Sequence, residues 1–98
     1  MQYNQLGKSG IRVSEISFGA WLTFSKQVGL QETKQLMHGA FDHGINFFDN
    51  AESYAHGEAE TLMGQVLPDF RREDLVISTK IFWGGEGPND TGLSRKHL

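Results

Sequence analysis

The chain has 98 residues, enough for one small domain, with 9 Lys+Arg against 12 Asp+Glu, a net charge of −3 and no cysteine. No basic run is longer than Arg71-Arg72, so the clustered positive charge of a nucleic-acid footprint is missing; disulfides and thiolate metal sites are excluded as well. Apolar stretches of a few residues are too short to span a bilayer, and Lys8 and Arg12 interrupt any signal-like apolar core, so the expected location is the cytoplasm.

Tyr3 to Leu6 is short and half apolar, Gly7-Lys8-Ser9-Gly10 has turn composition, and Ile11 and Val13 alternate with Arg12 and Ser14. This predicts a hairpin over residues 1–14. A further strand is expected at Glu15 to Phe18, ended by Gly19. The loop from Ala20 to Gly29 carries Trp21 and Phe24, large aromatics that need cover from core or ligand. A helix then begins near Leu30, with Leu36, Met37, Ala40 and Phe41 spaced for one buried face. Gly44 suits the left-handed residue past a helix end. Ile45-Asn46-Phe47-Phe48, bounded by Gly44 and Asp49, reads as a buried strand. A second helix is expected from about Gly57 to Leu67, apolar at Ala59, Leu62, Met63, Val66 and Leu67, and stopped by Pro68. After the charged turn Arg71 to Asp74 comes Leu75-Val76-Ile77-Ser78-Thr79, a strand rich in β-branched residues. Trp83 to Asp90 reads as a flexible glycine-rich loop, and Ser94 as the cap of a third helix that has only its first turn before Leu98.

Strand, helix, strand, helix, strand and the start of a helix form a βα repeat, which implies parallel strands and right-handed crossovers. Two architectures use this unit, the doubly wound open sheet and the closed eight-stranded barrel. The first βα junction, Phe18-Gly19-Ala20-Trp21-Leu22, lacks the G-x-G-x-x-G of an open dinucleotide-binding sheet. The run Gly84-Gly85-Glu86-Gly87 follows the third strand with no complete helix behind it, and is not read as a phosphate cradle.

Parallel strands carry their ligand sites at their carboxyl ends. Asp49 closes one strand and Lys80 the next. A period of two puts Ile45, Phe47 and Asp49 on one face, and Val76, Ser78 and Lys80 on one face, so both polar groups can enter the same interior. Tyr54, five residues past Asp49, can fold back over that rim. A free phenol has a pKa near 10 and is a poor acid at neutral pH; an adjacent ammonium lowers that value. A carboxylate beside the lysine keeps it charged and oriented. Such a group can donate a proton to a developing alkoxide or polarise a carbonyl, while hydride must come from a cofactor. On these residues alone, a surface ion pair of little energetic worth is the commoner reading of Asp49 and Lys80.

The wording of the chain goes further than its periodicity. Leu6-Gly7-Lys8-Ser9-Gly10-Ile11-Arg12-Val13-Ser14, Phe18-Gly19-Ala20-Trp21, the block from Gly44 to Tyr54, Gly57-Glu58-Ala59-Glu60-Thr61-Leu62-Met63-Gly64, Leu75 to Gly85 and Gly92 to His97 resemble the N-terminal part of the aldo-keto reductase family. The branch they most resemble contains the potassium-channel β-subunits and their bacterial relatives. The resemblance implies an α/β fold, the N-terminal portion of a (β/α)8 TIM barrel. Residues 1–14 would be a hairpin cap, and residues 15–98 the first three βα units with the third helix truncated and the barrel incomplete. It implies NADPH as cofactor, and an aldehyde or ketone as the small carbonyl substrate. By position in the motif Asp49, Tyr54 and Lys80 match three catalytic residues, and the fourth, a histidine at the next strand end, lies past Leu98. Gly19, Ala20, Trp21 and Asp49 match the nicotinamide end of the cofactor site. Trp21, Tyr54 and Trp83 are expected to line the substrate pocket, although Trp21 and Trp83 also fit plain loop packing.

His56 is not expected to be the missing histidine, since the family places that residue on a strand end. His38 and His43 read as ordinary surface residues of a helix. Glu58 and Glu60 diverge at i, i+2 on a helix, so no metal site is expected with His56. The 98 residues by themselves are expected to be inactive. Beside reduction of carbonyls, the family leaves open a redox-sensing accessory subunit of a cation channel, or a non-catalytic barrel fragment. No direct membrane insertion is expected, and a homo-oligomer stays open.

Overall fold

The computed structural model describes residues 1–22 and 28–98; Phe24 lies outside the described residues. Strands β1 (Tyr3–Gln5) and β2 (Arg12–Ser14) pair antiparallel, as the alternation predicts, with Asn4 opposite Val13. The turn uses Gly7 at φ +58°, where a side chain would be strained. The next strand differs from expectation: β3 is Phe18–Gly19, not Glu15 to Phe18. The Glu15 N–H still belongs to the hairpin, donating to Gln2 O at 3.0 Å, and Ser14 Oγ donates to Ile16 O at 2.6 Å, which bends the chain before the new strand begins.

Helix α1 (Leu30–Asp42) follows. The Gly29 N–H is capped by the Glu32 carboxylate at 3.1 Å. Its inward stripe is centred on Thr33 and Met37, both fully buried, with Phe41 packed beside them. Leu36, expected on that stripe, is 43% exposed because it sits one helical step, about 100°, from Met37. Gly44 closes the helix at φ +93°. Strand β4 is Phe47–Asp49. Ile45 and Asn46 are held outside the regular strand: the Ile45 N–H returns to Ala40 O in the helix, and the Asn46 side chain serves the hairpin.

A 3₁₀ turn, Tyr54–Gly57, leads into α2 (Glu58–Val66). Ala59, Met63 and Val66 are buried, and Leu62 and Leu67 pack against them, as the spacing predicts. Pro68 falls in the 3₁₀ turn Leu67–Asp69 that ends the helix. After the turn Arg72–Asp74 comes β5 (Val76–Ser78). The sheet order is β3-β4-β5, all parallel, with Gly19 opposite Asp49 and Asp49 opposite Ser78.

One core joins these parts. Phe48, Met37, Ala59, Met63, Val66, Ala20 and Leu75 are buried together between the sheet and the two helices. Phe48 faces the helices, so Phe47 and Asp49 must face away from them. The hairpin is tied to the amino end of β4: the Ser14 N–H donates to Asn46 Oδ1 at 2.8 Å, Asn46 Nδ2 donates to Arg12 O at 3.0 Å, and the Tyr3 hydroxyl donates to Gly44 O at 2.7 Å. The base of the sheet is thereby capped, and its carboxyl ends stay open.

Candidate active site

Asp49 and Lys80 emerge on the same side of adjacent strands because the register sets Asp49 opposite Ser78 and the period of two then carries Lys80 to the rim. Backbone bonds extend the ladder upward, from the Asn50 N–H to Ser78 O at 2.9 Å and from the Glu52 N–H to Lys80 O at 3.1 Å. The Lys80 ammonium donates to both Asp49 oxygens at 2.9 and 2.8 Å, to Asn50 O at 2.8 Å and to the Tyr54 hydroxyl oxygen at 3.1 Å. Ser78 Oγ donates to Asp49 Oδ1 at 2.5 Å.

Burial pushes the Asp49 carboxyl up, but the hydrogen bonds from Lys80 and Ser78, with the Lys80 charge, hold it below its ordinary 3.8. Burial likewise pushes Lys80 down, and its bonds to Asp49 and Tyr54 more than offset this, holding it above 10.5. Both groups are therefore charged at neutral pH. An ammonium has donors only. Since Lys80 fills one lone pair of the Tyr54 oxygen, the Tyr54 hydrogen is left to another acceptor.

Tyr54 is positioned by three further features. Its ring stacks on Trp21, centroids 6.2 Å apart and planes 27° apart, and Lys80 Nζ lies 4.8 Å from its ring centre. The backbone that follows is left-handed for three successive residues, Ala55 at φ +51°, His56 at φ +54° and Gly57 at φ +91°. For the two with side chains this conformation costs on the order of 1–2 kcal/mol each. The Ala55 side is packed against the core, and strain held by packing is a recurrent feature of functional sites.

The residues expected from sequence fall into two groups. Asp49, Tyr54, Lys80 and Trp21 come together. Gly19 borders them opposite Asp49, whereas Ala20 is fully buried, so only its backbone faces outward interactions; its N–H donates to Asp49 O at 3.2 Å. Trp83 stands apart on a neighbouring cleft of about 290 Å³, lined by Ser53, His56, Trp83, Gly84, Gly85 and Glu86. A larger cavity, about 720 Å³, lies at the capped base near Tyr3, Asn46 and Arg72, away from this chemistry.

The glycine-rich stretch, read from sequence as flexible, is organised around Asp90. The Gly84 and Gly85 N–H groups donate to Asp90 O at 2.9 and 3.0 Å, and the Gly87 N–H to its carboxylate at 3.0 Å. Ser94 does begin a helical turn: its hydroxyl accepts the His97 N–H at 3.2 Å, and its carbonyl accepts the Leu98 N–H. Three hydrogen bonds were not foreseen. Glu52 Oε1 accepts the Phe82 N–H at 2.6 Å and pairs with His97 Nε2 at 2.8 Å. The bond from His97 holds Glu52 below its ordinary 4.5 against burial, helped by Phe82. His38, read as an ordinary surface residue, pairs with Asp69 at 2.9 Å and lies 4.6 Å from the Phe70 ring. Sequence separations of 45, 30 and 31 residues leave no local signal for these contacts.

A three-stranded parallel sheet thus holds a donor-only lysine between an acid and a phenol at its open carboxyl end. The profile described as the Aldo/keto reductase family matches residues 15–98, and the chain belongs to that family. It is 61% identical over 100 residues to a curated protein of Arabidopsis thaliana named "Probable voltage-gated potassium channel subunit beta", and 59% identical to one of the same name from Oryza sativa subsp. japonica. Each match covers 100% of this chain and 30% of the relative. Among solved structures it is similar to the thermostable aldo-keto reductase Tm1743, crystallised with the inhibitor epalrestat, with a TM-score of 0.72 and 32% identity over 85% of this chain and 32% of that one. The chain thus spans about a third of the length of these relatives. Among the described residues no helix is long and apolar enough to cross a membrane.

Proposed function

We propose that the polypeptide carrying this chain reduces aldehydes or ketones to alcohols with NADPH, at a site whose proton donor is Tyr54. The fold supports reading residues 1–14 as the cap and residues 15–98 as the first three units of an eight-fold barrel. The observation that carries the proposal is the direction of one hydrogen bond: Lys80 donates to the Tyr54 oxygen at 3.1 Å, which leaves the phenolic hydrogen available to another acceptor.

The donor set fits the nicotinamide end of such a cofactor. Asp49 has about four acceptor positions, of which Lys80 and Ser78 use three, leaving one for a sugar hydroxyl. Gly19, the Ala20 backbone and the 66% exposed Trp21 indole offer a close, flat wall beside it. When bound, the cofactor supplies the hydride. Tyr54 holds the carbonyl oxygen by its O–H and releases that proton as charge develops there. Lys80 stabilises the oxygen left on Tyr54, and Asp49 keeps Lys80 ionised and aimed. Trp21 and Trp83 contribute apolar surface to the substrate.

Tyr54→Phe in the full-length polypeptide is expected to lower carbonyl reduction by about 100-fold or more. NADPH affinity, read by fluorescence titration, is expected to stay within about twofold. Unchanged turnover in that variant overturns the assignment.

The names of the plant relatives favour one second reading, an accessory subunit of a cation channel; on that reading the site would serve to sense the redox state of its cofactor. Co-purification with a membrane channel and slow turnover support it; rapid multiple turnover of free aldehydes supports the enzyme. Either role goes with the cytoplasmic location expected from the sequence.

A further inference from the structure

We propose that Glu52 and His97 are positioning residues that fix the width of the cleft beside Tyr54, and so set its affinity for aromatic carbonyl substrates; the inference rests on the carbonyl-reducing reading of the site. Glu52 lies in the loop between Asp49 and Tyr54, and its N–H donates to Lys80 O at 3.1 Å. Its Oε1 gathers the Phe82 N–H at 2.6 Å and His97 Nε2 at 2.8 Å. One carboxylate oxygen therefore joins three segments: the loop after β4, the loop after β5, and the turn at Ser94. Because an ionised carboxylate only accepts, His97 Nε2 carries a hydrogen.

The two walls of the cleft meet at this clamp. Ser53 and His56 form one wall; Trp83, Gly84, Gly85 and Glu86 form the other. Glu52 precedes Ser53 directly. The His97 side chain, 8% exposed, lies against Gly84, where an added methyl would meet His97 Cε1 at 2.5 Å and Asp90 O at 2.7 Å. Trp83 sits between Phe82, whose N–H is held by Glu52, and Gly84, which His97 packs against and whose N–H donates to Asp90 O at 2.9 Å. Its own ring is 68% exposed, with the Phe82 ring 4.5 Å away. Burial does not hold that indole, so its backbone must; Asp90 O, the Thr91 bridge and the Gly92 N–H close the loop on itself, and Glu52, with His97 packed on Gly84, ties that loop to the segment before Tyr54. An indole face held opposite Ser53 and His56 is a stacking surface for a flat aromatic ring.

The test uses the full-length polypeptide, with 4-nitrobenzaldehyde and propanal as paired substrates. His97→Ala is expected to raise KM for the aromatic aldehyde about fivefold to tenfold, with kcat and the KM for propanal within about twofold. His97→Gln keeps a donor and is expected to restore the aromatic KM. Hydrogen exchange across residues 82–85 is expected to be about tenfold faster in His97→Ala and near wild type in His97→Gln. Unchanged KM, with or without faster exchange, overturns the proposal. So does a loss of kcat and KM for both aldehydes that His97→Gln does not rescue, since that pattern is merely structural. If the wild-type protein reduces neither aldehyde, the functional reading falls, and the exchange rates still decide whether the clamp exists.

Discussion

Lys80 is more than half exposed and Asp49 about one third, so their ion pair is screened by solvent and adds little to stability. Its value is directional. The carboxyl sits below its ordinary 3.8, so what it contributes is present above that pH and is lost as pH falls through the lower folded value. The ammonium sits above 10.5, so its contribution is present below that pH and is lost as pH rises through the higher folded value. Both charges are therefore expected to persist from about pH 4 to pH 10. Carbon-detected NMR titration of the Asp49 carboxyl checks this, and a midpoint above 3.8 contradicts it. Period-two alternation was enough to place Asp49 and Lys80 on one face from the sequence. The Ser78 hydroxyl was on the same face too, yet its bond to Asp49 depends on register, which alternation does not specify.

At the level of elements, the turn after Tyr54 has the clearest consequence. His56 is exposed, and an exposed position ordinarily tolerates substitution within about 0.5 kcal/mol. Here φ is +54°. A β-branched residue is strongly disfavoured in that region, so His56→Val is expected to destabilise by about 1–2 kcal/mol, whereas His56→Gly is expected to be neutral or stabilising. Denaturant unfolding of the full-length polypeptide measures the difference. Nothing in Tyr54-Ala55-His56-Gly57 except its glycine announces three left-handed residues in a row; tertiary packing of Ala55 imposes them. Helix α2 was legible because its apolar residues all face one way. Helix α1 was legible in extent and in part of its inward face, since Met37 and Phe41 pack inward as expected, but Leu36 is exposed and the buried Thr33 had no apolar signal to mark it.

For the molecule as a whole, the described residues form the β1-β2 hairpin and a sheet of three parallel strands, with β5 at one edge of that sheet. Large apolar side chains remain open, among them Ile16 at 56%, Leu22 at 65% and Leu93 at 69%. Edges and patches of this kind invite association until they are covered. The 98 residues expressed alone are expected to show no steady-state reduction of nitrobenzaldehyde by NADPH and to self-associate in sedimentation. Turnover comparable with a full-length relative contradicts this. The order of elements made the parallel architecture readable in advance. The cap's attachment was not, because it runs through the Asn46 side chain to Ser14 and Arg12, more than thirty residues away.

That attachment has a practical corollary. Asn46 anchors the foot of β4 and Asp49 holds Lys80 at its head, with only Phe47 and Phe48 between. Foundation and proposed active site are thus segregated along a single short strand. Protein engineers can exploit the separation: grafting a foreign 81–91 segment onto the head, while leaving the foot untouched, offers a route to chimeras with new selectivity and an undisturbed scaffold.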